Sequence, residues 1–209
     1  MPVGCKPRTL GLTAHHVYGK SVDGIEYLLY VLLGLGLSAA CGFRVFVPFL
    51  AISIASLAGQ LKLAPDFAWL GSWPALIVFG VATICEIVAY YVPWLDHVLD
   101  VAATPAAIVA GIVVTASVVT GMNPVLRWTL AAIAGGGVAA AVQLATVALR
   151  RASTYATAGL AHPLATTVET GGSVGMSALS VLVPVVAGVL ALLLIVLAAR
   201  WLSRRRARA

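Results

Sequence analysis

The run from Val174 to Ala199, VGMSALSVLVPVVAGVLALLLIVLAA, contains no charged residue and is followed directly by Arg200. Arg204, Arg205, Arg206 and Arg208 come next. A membrane-crossing helix needs about 20 mostly apolar residues to match the hydrocarbon core. Lys and Arg collect on the cytoplasmic side of such helices. A basic stretch alone would also fit nucleic acid, but beside this apolar run it reads as the cytoplasmic end of a membrane helix, with no nucleic-acid partner.

Moving outward, the same pattern recurs at Val125 to Leu149, Thr104 to Thr120 and Pro74 to Val92. Of the 209 residues, 61% are hydrophobic and 10% charged, and the mean hydropathy is +1.03. Soluble domains carry roughly 25% charged residues, so this composition excludes a soluble globular protein. The expected fold class is all-α: a polytopic transmembrane bundle of about six segments, five being the alternative. Residues 1–24 form a polar basic tail without the apolar core of a signal peptide and are expected in the cytoplasm. Residues 25–202 form the transmembrane domain, and 203–209 a second basic cytoplasmic tail.

The stretch from Ile25 to Leu61 decides between five and six. Its 37 residues are too many for one untilted crossing at 1.5 Å per residue. Two apolar runs, Ile25 to Phe43 and Val45 to Leu61, joined by a tight turn around Ala40-Cys41-Gly42-Phe43-Arg44, are the preferred reading. One long helix kinked near Pro48 is the other. With the C-terminus placed in the cytoplasm, Lys62 and Arg127 fall inside. The segment with Asp96 and Asp100 falls outside, in accord with the charge rule. Arg150 and Arg151 fall outside against it. Six crossings put the basic N-terminal tail inside, five put it outside. Trp69, Trp73, Tyr90, Tyr91, Trp94, Trp128 and Trp201 lie near expected helix ends and read as an interfacial aromatic belt.

A short internal match pairs Leu95 to Thr104 with Leu164 to Ser173. Each has an acid (Asp100, Glu169), two small residues and a hydroxyl (Thr104, Ser173) before a small-residue-rich run. The hairpins Pro74 to Thr120 and Val125 to Ala199 are therefore candidate repeats, a common transporter plan. Chance similarity between small-residue segments explains the match equally well.

Arg44 has apolar neighbours on both sides, and a charge at that depth usually faces the bundle interior and pairs with acids or carbonyls. Asp100 and Glu169 are its natural partners. If each precedes a helix, each also faces free first-turn amides, beside Thr104 on one and Gly171, Gly172 and Ser173 on the other. An Arg44–Asp100–Glu169 cluster near the outer surface is the expected site, and simple helix capping is the plainer alternative. Glu86 lies about two turns inside its run and either snorkels to the interface or carries a proton. His162 lies in the outer segment without metal-ligand spacing. Gly135-Gly136-Gly137 sits mid-helix, where it could permit local unwinding. No hydrolase triad, HExxH pair, nucleotide loop or haem motif occurs, so no enzyme activity, cofactor or metal is expected.

Gly36-Leu37-Ser38-Ala39-Ala40-Cys41-Gly42-Phe43-Arg44 with Pro48, Asp100-Val101-Ala102-Ala103-Thr104-Pro105, and Gly159-Leu160-Ala161-His162-Pro163 running into Glu169 resemble, in that order, a bacterial integral-membrane family called domain of unknown function 4126. That family usually has Asn where His162 stands. The resemblance covers roughly Ile25 to Leu197. It implies a small multi-spanning membrane protein and groups Arg44, Asp100 and Glu169 in one constellation, without supplying a substrate. The expected function is a small transporter or channel-like permease of the cell membrane. Its partners would be the lipid bilayer, a small solute or ion, and in some arrangements a second copy of itself. A non-catalytic assembly factor or regulatory subunit is the alternative.

Overall fold

The computed structural model describes residues 24–90, 93–157 and 162–206, with side chains described at 24–90, 102–152 and 164–200. Among the described residues, eight α-helices follow in order: α1 (Gly24–Cys41), α2 (Phe46–Leu57), α3 (Trp73–Ala89), α4 (Pro93–Val118), α5 (Pro124–Leu130), α6 (Gly136–Thr157), α7 (His162–Leu182) and α8 (Pro184–Arg206). A 3-10 turn, Pro65–Gly71, precedes α3, and a π-helical turn, Ala131–Gly135, joins α5 to α6. No strand occurs among the described residues, so the all-α helical bundle stands.

Helix α1 is the central post. From Leu33 to Cys41 every residue is buried, and α4, α6, α7 and α8 pack around it. Its small residues allow this. A Cβ added to Gly36 would lie 2.3 Å from Ser180 Oγ and 2.8 Å from Ala187 Cβ, so a side chain there would push α7 and α8 away. Ser38 Oγ and Thr115 Oγ1 share a hydrogen bond of 2.7 Å, and Thr115 also donates to Gly34 O at 3.3 Å. Such small polar residues join helices where the hydrophobic effect offers no drive for association.

Helix α4 crosses α6 just as closely. A Cβ on Gly111 would stand 2.8 Å from Gly135 O, and one on Gly135 would stand 2.6 Å from Gly111 O. The π turn ends at Gly135, so the widened backbone falls where the two helices touch. The local unwinding expected near Gly135-Gly136-Gly137 is thus a π turn, consistent with the helix yielding to fit its neighbour.

Four features of the element limits bear on the sequence reading. First, the apolar run Ile25 to Leu61 breaks between Cys41 and Phe46, at the tight turn that the preferred reading expected, and not at Pro48, as the alternative had it. Pro48 lies in the first turn of α2, where its missing N–H costs nothing. Second, α2 has 12 residues, about 18 Å at 1.5 Å each, which is shorter than a bilayer core. Third, the run Val174 to Ala199 is divided at Val183, between α7 and α8. Pro184 has no N–H to donate and its ring crowds the preceding turn. Fourth, the two connecting segments expected on the outer side are largely helical. Asp100 lies within α4, and Glu169 within α7.

Large apolar side chains cover the outside, among them Ile77, Val81, Ile84 and Val88 on α3 and Val189, Leu192, Leu193 and Val196 on α8. A water-soluble monomer does not expose apolar surface on this scale. Among the described residues, two stretches are long and apolar enough to cross a membrane, Gly24–Cys41 and Pro124–Ala152. A third qualifies if Pro65–Gly71 and Trp73–Ala89 count as one span bent by 67°.

Candidate functional site

The turn between α1 and α2 brings Arg44 to one end of the bundle. Gly42 and Arg44 donate their backbone N–H groups to Ser38 and Ala40 carbonyls, which closes α1 and turns the chain inward. A Cβ on Gly42 would lie 2.6 Å from Val142 Cβ, so glycine is required for the turn to seat against α6. Arg44 is 1% exposed. Its Nη2 donates to the Thr166 carbonyl of α7 at 3.3 Å. Its guanidinium carbon lies 4.0 Å from the centre of the Tyr90 ring, within cation–π range. Its Nε and Nη1 are buried and have no hydrogen-bond acceptor.

Glu86, near the end of α3, reaches the start of α2. Val45 N–H donates to Oε1 at 2.8 Å and Phe46 N–H to Oε2 at 3.1 Å. Val45 has no capping side chain of its own, so Glu86 supplies the cap from another helix. A carboxylate there also faces the positive end of the α2 dipole.

Arg150 of α6 and Glu169 of α7 form a buried ion pair. Arg150 Nε donates to Oε1 at 3.2 Å, and Nη2 donates to Oε2. The Arg150 guanidinium carbon is 4.7 Å from the Tyr90 ring centre. One aromatic ring therefore serves two guanidinium groups. Removing one member of such a buried pair generally costs about 3–5 kcal/mol, because the other is left charged and unpaired.

Hydroxyl groups bind this end of α1 to its neighbours. Ser173 Oγ donates to Ala40 O at 3.0 Å, and Thr146 Oγ1 donates to Gly42 O at 3.3 Å. Ser173 is thus a helix-to-helix link within α7, not part of a first turn. Gly172 lies near the Phe43 ring, which an added Cβ would meet at 3.8 Å, while a Cβ on Gly171 would meet nothing within 4 Å. Thr104 is partly buried along α4 and also stands well past a first turn.

Arg44 meets α7 at the Thr166 carbonyl, and Glu169, three residues further along α7, pairs with Arg150. Glu86 caps α2. The Asp100 and His162 side chains lie outside the described ones. The reading of Asp100 and Glu169 as residues preceding a helix is corrected: each follows the first residue of its helix by 7 positions, beyond reach of the free first-turn amides. The first-turn role given to Thr104, Gly171, Gly172 and Ser173 falls with it.

Two contributors are not legible in the sequence. Arg150, the exception to the charge rule, pairs with Glu169. Tyr90, expected in the aromatic belt, is buried beneath two cations. Trp69, Trp73 and Trp128 are exposed and do suit a belt.

The opposite end carries a second ion pair. Arg127 Nη2 donates to Asp66 Oδ2 at 2.5 Å. Tyr27 OH donates to Gly121 O at 3.0 Å, and Ala64 N–H donates to Ser117 O at 2.8 Å. These contacts fasten the connection before α3 to the α4–α5 turn. Asp66 is 70% exposed, so a structural latch accounts for the pair. No group of three or more His, Cys, Asp or Glu able to hold a metal ion occurs among the described residues.

No curated protein and no solved structure matches this chain. The buried turn at Arg44, the cap at Glu86 and the Arg150–Glu169 pair nevertheless all fall within residues 31–204, the span matched by one family model, and on that match the chain belongs to the family described as Domain of unknown function (DUF4126).

Proposed function

We propose that the protein is a small multi-pass permease of the cell membrane that passes a small solute or ion through the end of the bundle around Arg44. The observation behind this reading is the concentration of Arg44, Glu86, Arg150 and Glu169 in an apolar helical bundle. Ionisable residues at membrane depth are costly and by default mark pathways for solutes, ions or protons. A bundle needing only stability gains nothing from such charges, since apolar replacements of a buried pair are often neutral or better.

In the proposed topology about six segments cross the membrane, both termini are cytoplasmic and the Arg44 cluster faces the outer side. The Arg150 exception to the charge rule is then eased, because its charge is balanced by Glu169. The short α2, held by Glu86 at its start, is the natural moving part, since two amide hydrogen bonds govern its attachment there. In this reading the protein performs no covalent chemistry, and its partners are the bilayer and the solute.

Flux into proteoliposomes provides the test. Panels of small anions, cations and neutral solutes are screened with the wild type, then with Glu169→Gln and Arg44→Lys. Solute-specific flux that falls at least about tenfold in both folded variants is expected if the charges are used for passage. Flux unchanged in both variants sinks the site, and absence of flux for every solute sinks the permease.

A further inference from the structure

The charged cluster leaves buried guanidinium donors without acceptors. Both Glu86 oxygens accept backbone amides of α2, and both Glu169 oxygens accept from Arg150. Arg44 gives Nη2 to the Thr166 carbonyl and keeps Nε and Nη1 buried without an acceptor. The Thr166 hydroxyl beside it is likewise buried and unpartnered. A guanidinium has five N–H donors and no acceptor. Whatever completes this end of the bundle must therefore bring acceptors, and burial makes leaving charged donors unmet especially unfavourable.

The surroundings of Arg44 narrow the choice. Tyr90 covers one face of the Arg44 guanidinium at 4.0 Å, so further partners approach along its edges. Guanidinium edges match planar or tetrahedral oxyanions and form short, charge-assisted hydrogen bonds with them. A cation here would face the guanidinium groups of Arg44 and Arg150, which share the Tyr90 ring, and each carboxylate oxygen of Glu86 and Glu169 already accepts a donor.

The geometry points to Arg44 as the anchor of a binding site for a compact oxyanion, a carboxylate or phosphate group, at the α1–α2 turn. This deepens the permease reading and rests on it for the claim that the anion is cargo. The same chemistry could come from a free solute or from a lipid headgroup.

The full chain in phosphatidylcholine nanodiscs tests the site by thermal unfolding with formate, acetate or inorganic phosphate, against choline and ammonium chlorides at matched ionic strength. At least one oxyanion is expected to raise the midpoint saturably, while the cation salts do not. Arg44→Lys keeps the charge but loses the planar edge, and its affinity is expected to drop about tenfold or more. Arg44→Gln is expected to abolish the response. If Arg44→Gln does not fold, the wild-type comparison of oxyanions with cations decides alone.

A second set of discs containing phosphatidylglycerol separates the sources. Stabilisation there that removes the response to free anions supports the site and assigns it to a headgroup. No response to any oxyanion in either lipid, or an undiminished response in folded Arg44→Gln, overturns the site. Oxyanion binding without flux of any solute would retain the site and reject the permease. Cation flux without oxyanion binding would do the reverse.

Discussion

A guanidinium inside an apolar bundle must find an anion, carbonyl groups or an aromatic face, because burial removes its water. Arg150 finds Glu169 and the Tyr90 ring; Arg44 finds the Thr166 carbonyl and the same ring. Arg150→Ala is therefore expected to destabilise the protein by about 3–5 kcal/mol. The joint change Arg150→Met with Glu169→Leu should cost less than Arg150→Ala alone. Unfolding in detergent, followed by helicity, checks both, and a double variant as damaged as the sum of its singles would contradict the pairing. Arg44 and Glu169 stood out in sequence as charges amid apolar residues. Their neighbours Tyr90 and Arg150 could not be assigned that way, since the Arg150–Glu169 contact joins two helices and Tyr90 reaches it from a third.

Glycine and proline decide more than hydropathy does about the elements. Every α-helix after α1 carries proline in its first turn, except α6, which continues from α5 through the π turn: Pro48, Pro74, Pro93, Pro124, Pro163 and Pro184. Apolar windows alone placed the starts of α4 and α7 too late, because a helix can begin in a polar stretch that such windows exclude. Pro93 and Pro163 were the signals that would have moved Asp100 and Glu169 inside helices. At the α4–α6 crossing, Gly135→Ala is expected to destabilise clearly, since its Cβ would meet Gly111 O at 2.6 Å. Gly171→Ala faces open space and should be neutral or slightly stabilising, because Ala is the better helix former by about 1 kcal/mol. Thermal unfolding of the two variants side by side would contradict the packing if their order were reversed. Glu86→Ala removes the cap of α2 and should cost on the order of 1 kcal/mol. Faster amide exchange at Val45 and Phe46 is its specific signature, and unchanged exchange there would refute the cap.

At the scale of the whole molecule, Tyr27, Ala64, Ser117 and Gly121 meet at one end, while Arg44, Glu86, Arg150 and Glu169 gather with the α1–α2 turn. Reporters inserted after Gly59 and after Gly121 are expected to read the cytoplasmic side, and one inserted after Thr157 the outer side. A cytoplasmic reading at all three positions would overturn the proposed topology.

The amino-acid order by itself determined that this is an all-α, apolar bundle and singled out Arg44, Asp100 and Glu169, with Glu86 beside them, as its exceptional residues. Those properties follow from composition and from the local cost of placing charge among apolar side chains. Only the tertiary structure decided who meets whom: Arg150 with Glu169, both arginines with Tyr90, and Glu86 with the amides of α2. Such pairings depend on how closely helices approach, which Gly36, Gly42, Gly111 and Gly135 control through atoms they lack. The run from Val174 to Ala199 shows the same division. Its hydropathy announced the membrane, while the backbone at Pro184 decided that it is two helices.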